Sequence, residues 1–251
     1  MQAGLFPVEY QRASEKYGSS GRPHNLLVMR FLRKKFEARP EYPRIAPFAA
    51  FVLLTFFQGK LGEESRYWVY LLKTLVGAWL VWEMRPFVEE MRWKISWEAV
   101  AAGVAVCAIW VGLDGLYPQL AKPGAGWDPQ KQFGEDSAVA WFYILMRMFG
   151  SAVVVPPLEE VFYRSFLYRY FVNANFRATP LGQFHAPSFV VTSAIFGLMH
   201  PDRWLAGILC GLSFQWLVVR KKRLGDSMTA HAISNFLLGI WIVWKGAWNF
   251  W

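Results

Sequence analysis

Long apolar runs separated by short polar connections constrain this chain more than any other feature of its sequence. Hydrophobic residues make up 55% of the 251 residues, and the mean hydropathy is +0.20. Soluble domains carry apolar residues in periodic stripes, whereas these are contiguous, as in helices that lie in a bilayer. The runs cover residues 45–59, 67–84, 97–117, 138–157, 160–173, 187–200, 203–219 and 228–248. We therefore predict an all-α fold, a polytopic transmembrane bundle of seven or eight helices.

The distribution of charge predicts how such a bundle is inserted. The formal net charge is +9, and residues 1–44 hold nine Lys and Arg against four Asp and Glu. Because cytoplasmic segments are rich in Lys and Arg, we expect 1–44 to be a basic cytoplasmic segment and 45–251 to be the transmembrane domain. Residues 26–36 mix apolar and basic side chains, as in a helix at the membrane surface. We expect a multi-pass protein of a bacterial inner membrane, with the lipid bilayer and no nucleic acid as partner.

The number of membrane crossings stays open at this point. If all eight runs cross, the basic loop 220–223 falls outside the cell, against the rule that cytoplasmic loops are positive. Treating residues 158–173 as an interfacial or continuing helix returns that loop to the cytoplasm. Several runs are also shorter than the roughly 20 residues of a full span.

The two cysteines point away from disulfide or thiolate-metal chemistry. Cys107 and Cys210 both lie within apolar runs and far apart in the chain. We expect buried free thiols at both positions.

Charged side chains stand between two apolar runs at residues 155–164, a costly arrangement in a membrane that indicates function. Glu160 and Arg164 are four residues apart, so on a helix they share a face and can pair. Glu159 points elsewhere and remains free. A purely structural explanation also fits, in which Pro157 opens a helix and the acids stabilise its first turn.

Two further motifs carry histidines at the edges of apolar runs. His200 ends one run, with Phe196 four residues before it, and such a histidine is often a hydrogen-bonded core residue. His231 and Asn235 are four residues apart near the start of the last run. They could equally form a polar contact between helices.

Taken together, the motifs supply the groups for hydrolysis of an acyl bond. A buried carboxylate can act as a general base toward water, assisted by a histidine. A second histidine and an amide can donate hydrogen bonds to the oxyanion that develops. A divalent metal such as Zn²⁺ at Glu159, His200 and His231 is the alternative, because carboxylate and imidazole groups are also its ligands.

These three motifs, in this order, resemble the CPBP (Abi) family of intramembrane glutamic proteases. The sequence shows Glu-Glu-x-x-x-Arg, then Phe-x-x-x-His, then His-x-x-x-Asn, within residues 138–245. The family includes the Rce1-like type II CAAX prenyl endopeptidases and bacteriocin-processing or immunity proteins. One departure is visible, since many members have Gly after the motif arginine and this chain has Ser165.

The resemblance implies a role for each of six residues and no cofactor. Glu159 and His200 would activate the water, and His231 and Asn235 would form the oxyanion hole. Glu160 and Arg164 would orient the first motif. The residues implied to be catalytic are Glu159, Glu160, Arg164, His200, His231 and Asn235.

The implied function is an intramembrane endopeptidase that cuts near the C-terminus of a membrane-anchored peptide or protein, prenylated substrates included. A non-proteolytic membrane binding or bacteriocin-immunity protein of the same family is the alternative. A transporter with a Glu and His proton relay also fits the composition, but it explains His231 and Asn235 less well.

Overall fold

The computed structural model describes residues 34, 36, 38–121, 126–135 and 137–251. Most of the expected surface helix at 26–36 and most of the basic segment 1–44 therefore lie outside the described residues. The described residues form eight helices and no strand. In chain order the helices are α1 (Tyr42–Phe57), α2 (Ser65–Met84), α3 (Trp97–Gly112), α4 (Pro129–Phe133), α5 (Ala138–Val172), α6 (Ala186–Leu198), α7 (Trp204–Lys221) and α8 (Gly225–Lys245).

The expected all-α helical bundle is confirmed, with seven long helices and the short α4. Helices α5 and α8 are long and apolar enough to cross a membrane, whereas α1, α3 and α6 are apolar but shorter. The runs predicted at 138–157 and 160–173 form the single helix α5, with 35 residues. At about 1.5 Å per residue this helix is about 52 Å long, which exceeds the roughly 30 Å of a hydrocarbon core.

Helix α5 is interrupted by two π-helical segments that flank its acidic pair. The first is Gly150–Val154 and the second is Val161–Leu167. Pro156 and Pro157 lie between them, inside the helix, so Pro157 does not open a helix as the purely structural explanation required. Proline has no backbone N–H to donate, and its ring crowds the preceding turn of a helix. A wider π turn beside the prolines accommodates the missing hydrogen bond and the bulk of the ring. Such π segments often mark functional sites.

Small residues allow the helices around the site to pack closely. On α6 and α7 the backbones meet at glycines, and a Cβ added to Gly207 would lie 2.8 Å from the Cα of Gly197. On α3 a Cβ at Gly103 would lie 2.7 Å from the carbonyl oxygen of Ala230 in α8. Close approach through small residues is the usual mode of helix packing in membranes.

A buried polar network joins α1, α5 and the loop after α2 at one end of the bundle. Arg44 donates through Nε and Nη2 to the Glu90 carboxylate at 2.9 Å, and its Nε also lies 3.1 Å from Ser165 Oγ. Ser165 donates its hydroxyl proton to Glu90. Burial would raise the pKa of Glu90, but the Arg44 charge and the Ser165 hydroxyl outweigh it and hold that pKa below its usual value.

Aromatic side chains close the opposite end of the bundle beside α4. The ring centroid of Trp127 lies 5.0 Å from that of Tyr67 and 5.5 Å from that of Trp251. The indole N–H of Trp127 donates to the carbonyl of Arg66 at 3.0 Å. This aromatic cluster lies next to the cavity that contains the candidate site.

Candidate active site

Glu160 is the fully buried centre of the polar groups in the bundle, with 0% exposure. Its Oε1 lies 3.0 Å from His231 Nδ1, and its Oε2 accepts a hydrogen bond from the Ser227 hydroxyl. Oε2 also lies 3.2 Å from Nε of Arg164, one helical turn away. One carboxylate on α5 therefore holds two residues of α8 and one of its own helix.

Arg164 is enclosed by helices α6 and α7. Its guanidinium lies 4.5 Å from the ring centroid of Phe196, and Nη2 donates to the carbonyl of Gly211 at 3.4 Å. The side chain is 1% exposed, so its charge is balanced by Glu160 and not by water. This pairing fixes α5 against the helices that carry the other motifs.

His231 connects the two acidic residues of α5. A carboxylate can only accept, so the Nδ1–H of His231 donates to Glu160. The Nε2 atom faces the other way and lies 3.9 Å from Oε2 of Glu159. The ring stacks on Phe214, with centroids 4.9 Å apart, so its orientation is fixed from two sides.

A cavity of about 220 Å³ lies at these side chains. Since roughly 10–15 Å³ of such volume suffices for one water, it has room for several waters or part of a peptide. Four of the six predicted residues line it: Glu159, His200, His231 and Asn235. Glu160 and Arg164 do not line it and lie behind it, among the helices.

Glu159 is the acidic side chain that reaches the cavity. Its side chain is 17% exposed, and its Oε2 is buried without a hydrogen-bond partner. A buried carboxylate oxygen without a donor has an unused capacity to accept a hydrogen bond. This unused capacity distinguishes Glu159 from the fully partnered Glu160.

His200 enters the cavity from the end of α6 with one ring nitrogen engaged. Its Nδ1 lies 2.9 Å from the carbonyl oxygen of Phe196, and a carbonyl only accepts. The proton of the neutral ring is therefore on Nδ1, which leaves Nε2 as an acceptor. The ring also packs edge-on against Trp110, with centroids 5.3 Å apart.

Asn235 lies one turn after His231 on α8, and its amide is partly engaged. Its Nδ2 donates to the carbonyl of Ser151 at 2.8 Å, within the first π segment of α5. An amide nitrogen carries two protons, so one donor remains for a ligand. The π segment thus supplies the carbonyl that positions Asn235.

Three residues of the site were missed by sequence reasoning. Ser227 lies four residues before His231, so helical spacing could have identified it as a neighbour on the same face. Lys73 and Arg147 line the cavity from α2 and α5. Both are basic residues within predicted apolar runs, which is the signal that singled out the glutamates.

The metal alternative concerns three residues of this cavity lining, Glu159, His200 and His231. Among the described residues, no three His, Cys, Asp or Glu side chains are grouped so as to hold an ion. Glu159, His200 and His231 line one cavity. The cysteines of that cavity, Cys107 and Cys210, are free thiols as expected, but only Cys210 is buried, so the expected burial of Cys107 is wrong.

Comparison with known families adds an independent observation. Residues 140–237 match the family described as Rce1-like, type II CAAX prenyl endopeptidase Rce1-like. The chain carries an Rce1-like domain. All six predicted site residues lie within the match, and the family suggested by the three motifs is confirmed. No curated protein and no solved structure gives a significant match.

The Rce1-like domain implies CAAX protease-type activity and a membrane-associated protein substrate. It contains both helices that are long and apolar enough to span a membrane for most of their lengths. The chain is accordingly a helical membrane protein.

Proposed function

We propose that this protein is an intramembrane glutamic endopeptidase. It hydrolyses a peptide bond near the C-terminus of a membrane-anchored peptide or protein, prenylated substrates included. The observation that carries the proposal is one cavity that is lined by four residues of the Rce1-like domain, Glu159, His200, His231 and Asn235.

Glu159 and His200 activate the attacking water in this proposal. The carboxylate of Glu159 accepts a proton of the water, and Nε2 of His200 is the second acceptor on the cavity wall. Proton removal while the water attacks the scissile carbonyl is general base catalysis, which contributes roughly 10²- to 10⁴-fold. The same groups then return a proton to the leaving amine.

His231 and Asn235 stabilise the oxyanion of the tetrahedral intermediate. Asn235 offers its free amide proton, because the other proton is donated to Ser151. His231 already donates Nδ1–H to Glu160, so Nε2 becomes a donor only when the ring is doubly protonated. Glu160 and Arg164 are positioning residues that orient His231 and α5.

No metal ion takes part in the proposed reaction. Carboxylate, imidazole and amide groups of the chain supply every proton transfer and every oxyanion contact described above. The arrangement of Glu159, His200 and His231 supports this proposal, since it does not fit a three-ligand metal site.

The proposed orientation places the N-terminus in the cytoplasm of a bacterial cell, with the protein in the inner membrane. Seven long helices then put the basic loop 220–223 in the cytoplasm, in agreement with the positive-inside rule. The acidic connection 114–137 falls on the opposite side. Residues 1–44 are proposed as a basic cytoplasmic segment that precedes the transmembrane domain 45–251.

Proteolysis by the purified protein tests the proposed function. The substrate is a quenched fluorescent peptide with a prenylated cysteine, and wild type is compared with Glu159→Ala. Glu89→Ala is the control, because Glu89 is exposed in the loop after α2. Cleavage by wild type and by the control, with at least a 100-fold loss in Glu159→Ala, is expected. Undiminished cleavage by a folded Glu159→Ala variant contradicts the proposal.

The same assay separates the protease from a binding or immunity protein of the family. For a binding protein, neither wild type nor any variant cleaves a panel of prenylated and non-prenylated membrane peptides. Substitutions of Glu159 and His200 would then leave the protective phenotype intact once expression is matched.

A further inference from the structure

Two cations line the catalytic cavity at membrane depth. Lys73 comes from the middle of α2 and is 5% exposed, and Arg147 comes from the first half of α5. Neither lies within salt-bridge distance of an acidic group in the described part of the chain. Because an uncompensated charge in a membrane is costly, an ionisable residue there indicates a functional partner.

The contacts of both cations leave hydrogen-bond donors free. Lys73 Nζ donates one proton to Thr55 Oγ1 at 3.0 Å, which leaves two of its three protons. Arg147 has Nη1 buried without any hydrogen-bond partner. A buried guanidinium nitrogen without a partner costs free energy, so a ligand that accepts from it is strongly favoured.

One tyrosine ring brings the two cations to the same part of the cavity. Lys73 Nζ lies 4.8 Å and Arg147 Cζ lies 4.6 Å from the ring centroid of Tyr70. The aromatic ring stabilises both charges through its face without neutralising them. Both side chains therefore lie beside the same ring and line the same cavity.

The charge balance of the cavity also favours an anion. Glu159 is the sole acidic side chain among the described residues that line it, against two cations. Glu159 lies outside ion-pair distance of both, and its Oε2 has no donor. With Lys73 protonated, the lining carries a net positive charge even when both histidines are neutral, and a bound anion both cancels that charge and stabilises the protonated amine.

We infer that Lys73 and Arg147 form a subsite that binds the C-terminal carboxylate of the substrate. This inference rests on the proposed function. A bond cut near the C-terminus places the terminal carboxylate only a few residues from Glu159, at no more than about 3.5 Å per residue. Arginine matches a carboxylate with two parallel hydrogen bonds, and lysine adds a point charge. The subsite selects chain ends over internal sequences.

The first test compares peptides and needs no variant. Wild type is given one membrane-anchored peptide with a free C-terminal carboxylate and the same peptide as a C-terminal amide. We expect kcat/KM to be about 10- to 100-fold higher for the free acid, mainly because its KM is lower. A charge-assisted hydrogen bond contributes binding free energy of this size. A third peptide carries the amide and a Glu side chain in its last position. Cleavage of this peptide at the free-acid rate overturns the assignment to the chain end.

The second test removes each cation. Lys73→Met and Arg147→Met are expected to cleave the acid and the amide at similar, low rates, while Lys73→Arg keeps a preference for the acid. Lys60→Met is the control, since Lys60 Nζ lies 3.1 Å from the Phe56 ring centroid and does not line the cavity. A full preference for the acid in both folded Met variants overturns the subsite.

The outcomes separate this inference from the proposed function. Equal cleavage of acid and amide by wild type, abolished in Glu159→Ala, overturns the subsite and leaves the protease. If neither wild type nor any variant cleaves either peptide, both the subsite and the proposed protease function are overturned. If the Met variants fail to fold, the comparison of peptides with wild type still decides.

Discussion

Replacing Glu160 with Gln isolates the role of charge at the centre of the bundle. The carboxylate holds His231 at 3.0 Å, Arg164 at 3.2 Å and the Ser227 hydroxyl. The carbonyl oxygen of glutamine can still accept from His231, and its amide NH2 in place of Oε2 can donate to the Ser227 hydroxyl oxygen, so the loss is mainly the ion pair. Arg164 is then left as a charge with 1% exposure. Breaking a buried pair from one side costs about 3–5 kcal/mol, and we expect that loss in the free energy of unfolding.

The measurement is reversible unfolding in mixed micelles, with Glu89→Gln as the exposed control. A second variant, Glu160→Gln with Arg164→Met, removes both charges. We expect it to be more stable than Glu160→Gln alone, because no unpaired charge is left in the core. A Glu160→Gln variant within about 0.5 kcal/mol of wild type contradicts this reasoning, as does a double variant whose loss equals the sum of the two single losses.

Further predictions concern packing, pH and catalysis. Gly207→Ala should destabilise by about 1–3 kcal/mol, because its Cβ would meet the α6 backbone at 2.8 Å, whereas Gly112→Ala has nothing within 4 Å and should unfold like wild type. The lowered pKa of Glu90 means that its carboxylate stabilises the fold above the unfolded pKa and that this stability is lost as the pH falls through the folded pKa. Glu90→Gln should flatten the acid limb of the unfolding curve and be less stable than wild type at neutral pH. Asn235→Ala should lower kcat by about 10²- to 10³-fold with little change in KM, and a change confined to KM contradicts the oxyanion role.

Local spacing in the sequence was enough to predict contacts within a helix. The i,i+4 relation of Glu160 and Arg164 appears as an ion pair at 3.2 Å. The all-α bundle followed equally directly from the length of the apolar runs. Both inferences depend only on residues that are neighbours along the chain.

The spacing of residues along the sequence could not predict the contacts between helices. The hydrogen bond from His231 to Glu160 joins residues that are 71 positions apart in the chain. No spacing pattern in the sequence indicates that these two residues meet. The resemblance assigned Glu160 to orienting the first motif, but its contact with Ser227 depends on how α5 and α8 pack. The two π segments were also missed, since a widened turn has no simple sequence period.

Basic residues within apolar runs were the missed signal. The same physical rule that singled out Glu159 applies to Lys73 and Arg147, which lie in the runs 67–84 and 138–157. Their common position beside Tyr70 could be known only from the structure.

The most direct test of the central claim is cleavage of a membrane-anchored peptide after exhaustive chelation. Wild type and Glu159→Gln are purified in parallel, their folding is matched by thermal unfolding, and each is assayed with and without a strong chelator. The account predicts that wild type cleaves at the same rate in both conditions and that Glu159→Gln loses at least 100-fold in kcat. Activity abolished by the chelator and restored by a divalent ion, or a fully active Glu159→Gln variant, would contradict a water activated by Glu159 without metal.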